Sequence, residues 1–125
     1  MSGYTVDENS KAVYGESYAR MNKLHEEGYP KSAADAEAIA INLISYADLP
    51  LLHRTHAHMV LGCGNQDNFL WHAEEAVRIV KQDIEWYGES PVPPALLSDA
   101  QDTFNHAKQD YEQLEKIKGE REAQG

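Results

Sequence analysis

Between Pro50 and Tyr87 the chain reads PLLHRTHAHMVLGCGNQDNFLWHAEEAVRIVKQDIEWY, two apolar segments of helical period on either side of a short polar break. In the second segment Phe69, Ala73, Ala76, Val77, Val80, Ile84 and Tyr87 recur mostly at steps of three and four, and so share one face of a helix. In the first, Leu51, Leu52, Ala57, Met59, Val60 and Leu61 point around most of the helix, which marks an element covered on several sides. The stretch predicts a helical hairpin at the middle of the structure.

The flanking sequence is helical as well. Asp7 or Asn9 is placed to cap a first helix with the stripe Tyr14, Tyr18, Met21, Leu24 and His25, stopped by Gly28 with Pro30 just beyond. A second starts near Pro30, with Ser32 as an alternative cap, carries an alanine-rich face, and is broken by Asp48-Leu49-Pro50. The third runs from about Leu51 to Cys63 and ends in two glycines, Gly62 and Gly64, able to take the positive φ of a helix cap. The fourth is capped by Asp67 or Asn68 and closed by Gly88, and Glu89 to Pro94 form an extended linker. In the fifth, from about Pro94 to Lys118, Leu97, Ala100, Phe104, Ala107, Tyr111 and Leu114 make a narrow seam. Runs of alternating Val, Ile and Thr are few, and no Asn-Gly or Asp-Gly turn occurs. The expectation is one all-α domain over residues 7–118, built as two antiparallel hairpins and a closing helix, with flexible tails at 1–6 and 119–125.

Composition narrows the partners. With 42% hydrophobic and 26% charged residues, a 125-residue chain can bury a single core. The formal net charge of −10 is spread evenly: four basic residues against eight acidic before position 51, three against six up to 90, four against seven beyond. An evenly acidic surface repels phosphate backbones and anionic lipid, so neither nucleic acid nor membrane is an expected partner. Cys63 is the single cysteine and the opening MSGYTVDENS has neither a basic start nor an apolar run, which predicts an intracellular, cytoplasmic protein.

Sliding the chain by 40 residues against itself pairs Ala33 with Ala73, Ala36 with Ala76, Ile39 with Ile79, Ile44 with Ile84, Tyr29 with Phe69 and Tyr46 with Trp86. On HMVLGCGNQDNFLWHAEEAV, where Gly62 follows a leucine late in one helix, Phe69 opens the next and Ala73 comes four later, the chain resembles a tetratricopeptide-repeat-like (TPR-like) domain. Leu24, Gly28, Tyr29 and Ala33 echo the pattern in the first hairpin. The resemblance implies a right-handed stack of helix pairs, with an irregular helical bundle as the alternative. It also implies a non-catalytic module that binds a peptide or partner protein along the first helix of each pair.

That face carries neutral or basic groups in an acidic domain: Arg54, His58 and Asn65, with Asn22 and Lys23 nearby. An acidic segment of a partner suits it. Arg54 can clamp a carboxylate of that segment or pair internally with Asp48, and in the first case Arg54→Glu would weaken binding without lowering the melting temperature. A competing reading is a small enzyme or ligand carrier using His53, His56 and His58. His58, however, is turned well away from the other two on a helix, and the spacing fits no recognised zinc pattern, so neither metal nor cofactor is expected. Cys63 at a helix C-terminus reads as structural rather than nucleophilic. Glu74 and Glu75 read as a solvated face, and Tyr14, Tyr18, Trp71, Trp86 and Tyr87 as core more than as a ligand pocket. A third reading is a homodimer through the seam of residues 94–118.

Overall fold

The computed structural model describes residues 8–64, 66–88 and 92–124. Five helices occupy them: α1 (Glu8–Glu27), α2 (Pro30–Ile44), α3 (Leu51–Gly62), α4 (Phe69–Tyr87) and α5 (Leu96–Gln124). No strand occurs among the described residues, and the fold is all-α as expected. The expected cap at Asp7, the tail before it, and linker positions 89–91 lie outside the described residues.

Local chemistry sets most boundaries. Gly28, at φ 72, turns the chain in the left-handed conformation that ends α1, and Pro30 is the first residue of α2, where a missing N–H costs nothing. Ser32 does not cap; its hydroxyl donates to the Glu27 carboxylate at 2.8 Å. Gly88, at φ 84, closes α4 by donating its N–H to the Ile84 carbonyl at 2.8 Å. The end of α5 differs from expectation, since the helix continues through Gly119 to Gln124. One glycine in an exposed helix costs only about 1 kcal/mol, and opposite charges four apart, Lys116 with Glu120 and Lys118 with Glu122, favour continuation.

Helix α3 touches each of the other four. It lies in series with α1 and α5, while α2 and α4 pack on these helices and not on each other. On one side of α3 the core is Met21, Ala36, Ala40, Leu43, Ala57 and Leu61, all buried. On the other, Ala73, Ala76, Val77 and Val80 of α4 meet Leu96, Ala100 and Ala107 of α5. Alanines at the crossings let helix axes approach closely, and at Gly62 the backbones of α3 and α4 come so near that an added Cβ would stand 2.8 Å from the Ala73 Cβ.

The two glycines after Leu61 therefore have a different purpose from the one expected. Neither takes a positive φ; α3 ends at Cys63, φ −90, whose N–H reaches the Met59 carbonyl at 3.1 Å. Gly62 is there for space against α4, and Gly64 leaves room for the Glu37 side chain. Among the described residues no helix is long and apolar enough to cross a membrane.

Candidate functional site

The three histidines of α3 separate into two groups. His53 and His56 face α1, where the Tyr18 ring stacks on both at centroid distances of 4.3 and 5.3 Å and its hydroxyl bonds to His56 Nδ1. Burial lowers the pKa of each, opposed at His56 by the charge of Asp99. His58 faces α4 instead and is buried against His72, Nδ1 to Nδ1 at 2.9 Å.

That contact requires opposite tautomers, one ring donating from Nδ1 and the other accepting there. Burial, reinforced by His72, pushes the His58 pKa down to about 4, while Glu75 pulls the other way and Arg54 and Arg78 add to the depression. His72 is lowered by burial too, again opposed by Glu75. Trp71 stands edge-on to both rings, at 5.8 and 5.0 Å. Sequence reading does not pair His72 with His58; the available signal is that His58 lies one helical turn before Gly62, on the face that meets α4. Glu75 also departs from expectation. Only Glu74 is exposed, whereas the Glu75 side chain is 16% exposed and accepts from Arg78 Nε at 2.8 Å, which lowers its pKa.

Arg54 does not pair with Asp48. Its guanidinium donates to the carbonyls of Ile44, at 3.2 Å, and Tyr46, groups left without helical donors where α2 ends. Asp48 accepts from Tyr14 Oη at 2.7 Å instead, and that bond pushes the Tyr14 pKa up to about 12. Arg54 thus ties the start of α3 to the end of α2. Arg54→Met is expected to cost roughly 1–2 kcal/mol and to lower the melting temperature; a thermal melt identical to wild type would show that the two carbonyl bonds contribute nothing.

What remains open on the first-helix face is a groove between α1 and α3 of about 220 Å³. Asn22, His25, Glu26 and His56 supply its polar wall, and Met59 and Val60 its apolar floor, with Cys63 at one end. Lys23 is exposed beside Asn22 on α1. Asn65, expected on this face, lies outside the described residues. Cys63 is exposed as a residue, yet partial burial of its thiol and then the charge of Asp110 raise its pKa, which works against thiolate chemistry. Among the described residues no three His, Cys, Asp or Glu side chains converge as a metal site would need. The aromatic residues do not assemble into one pocket: Tyr14 is core, whereas Trp71, Trp86 and Tyr87 are exposed.

Compared with models of known families, with curated proteins and with solved structures, the chain matches none. The site is therefore read from its own geometry.

Proposed function

We propose that the protein is a non-catalytic protein-binding module whose helices stack in the TPR-like manner. On this reading the α1–α3 groove holds a peptide segment of a partner. Support for the stacking comes from the contact pattern, with α1, α3 and α5 in series and α2 and α4 kept apart. The observation that carries the binding reading is the groove itself: an apolar floor of Met59 and Val60 under a polar wall suits one or two apolar side chains of an extended or helical segment. With Arg54 committed to the end of α2, the preference for an acidic partner rests on Lys23 and His25.

The sole cysteine gives a direct test. A fluorophore attached to Cys63, at the end of the groove, reports occupancy as peptides chosen from a random display library are titrated in. A peptide that binds the wild type is expected to lose at least about tenfold in affinity, roughly 1.4 kcal/mol, for Asn22→Glu combined with His25→Glu. His25 is exposed and Asn22 partly so, and neither is in the core, so the melting temperature should hold. Equal affinity for the two proteins, or a library that yields no binder, would end this reading.

A further inference from the structure

The outer part of α5 offers a surface separate from that groove. The seam is satisfied within the chain only as far as Ala107: Phe104 and Ala107 pack on Phe69 and Ala73, and Leu97 and Ala100 on Ala76 and Val77. Beyond it every residue to Gln124 is exposed. Three apolar side chains continue the stripe with nothing over them, Tyr111 at 41%, Leu114 at 56% and Ile117 at 40% exposure. Leu114 and Ile117 form one wall of an open groove of about 370 Å³ that has Gly64 and Phe69 on the other side.

We infer that this groove is filled by the same helix of a second copy, the two α5 ends running antiparallel about a two-fold axis at Leu114. Charge decides both the partner and the direction. Residues 108–124 hold four basic side chains, Lys108, Lys116, Lys118 and Arg121, against five acidic ones, so this end is almost neutral in a chain of net charge −10. Two copies meeting here avoid most of the repulsion that their other surfaces would impose. With the axis at Leu114, Asp110 stands level with Lys118 of the partner subunit, both about 40° round the helix from Leu114 and so beside the contact, and Lys108 stands level with Glu120 of the partner subunit further out. No level places like charges together, whereas a parallel pairing would set every charge beside its own copy. The contact is isologous and closes at two subunits. About 25 Å of helix paired along one face covers about 500 Å² on each protomer, at the low end for specific complexes, so the dimer dissociates on dilution.

Sedimentation of the full chain over a concentration series tests this. The wild type is expected to pass from monomer to dimer, with weaker association at higher salt. Leu114→Glu, at an exposed position, should leave helicity unchanged and abolish the dimer. Asp110→Lys and Lys118→Glu should each weaken self-association at least about tenfold, and an equimolar mixture of the two should associate as the wild type does, because every level then pairs opposite charges again. Gly119→Ala, where a Cβ meets nothing within 4 Å, should strengthen the dimer by stiffening the helix. A wild type that stays monomeric up to about 1 mM, a dimer that survives Leu114→Glu, or a mixture that fails to associate would overturn the proposal. None of these outcomes touches the α1–α3 groove.

Discussion

Gly62→Val is expected to destabilise the protein by about 3 kcal/mol, and Gly62→Ala by about 1–2 kcal/mol, even though either residue favours helix over glycine. The reason is the crossing of α3 and α4. An added Cβ meets the Ala73 Cβ at 2.8 Å, its Cα at 3.0 Å and its N at 3.1 Å, and a backbone cannot swing aside as a long side chain does. The two helices would have to part, opening gaps along Ala57, Leu61 and Ala76. Gly119→Ala is the internal comparison, since the same propensity gain there meets no neighbour and, in turns that fray apart from the domain, should leave the urea midpoint unchanged or slightly raised. Urea denaturation of the three variants decides the matter. If Gly62→Ala behaves like Gly119→Ala, the close crossing is wrong.

Acid should weaken the fold through the buried imidazoles. The folded protein keeps His58 neutral down to about pH 4, while the unfolded chain takes up that proton near 6.5. This stabilisation is whole above pH 6.5 and is lost as pH falls from 6.5 towards 4, because the unfolded state binds the proton first. Allowing for water at the rim of the site, the loss between pH 7 and pH 4 from His58 is about 2 kcal/mol. His72, His53 and His56 act in the same direction. Glu75 raises the pKa of both imidazoles and so limits their loss, while its own pKa, lowered chiefly by Arg78, adds to the fall once acid begins to protonate carboxylates. Replacing both His58 and His72 by leucine removes donor and acceptor together, so the variant should fold at neutral pH and show a shallower fall in its urea midpoint on acidification. An equally steep fall in the variant would place the pH dependence elsewhere.

The course of the chain was legible because it rests on periodicity and punctuation. The stripe on α4, the stops at Gly28 and Gly88, and Pro30 opening α2 follow from rules that act within a few residues. The polar contacts were less legible because they depend on which helices meet. Charge counting sets Arg54 against carboxylates, yet it answers the dipole at the end of α2 and the carbonyls of Ile44 and Tyr46, neutral groups that charge counting does not register. The histidine cluster was legible in part. Helical spacing turns His58 away from His53 and His56, as the structure has it, but spacing alone does not name the neighbour that His58 meets, and its partner is fourteen residues on. Gly62 was noticed for its φ freedom, and what the fold uses is its missing side chain.

The position of α3, in contact with all four other helices, governs how the molecule comes apart. In a stack whose units touch only their neighbours, an end unit can melt while the rest persists. With only two helix pairs and a closing helix, loss of α1 with α2, or of α4 with α5, uncovers a flank of α3, so the body opens as one cooperative unit. The outer turns of α5 stand apart from that unit, and amide hydrogens there exchange through local fraying while those of α3 wait for the whole domain to unfold.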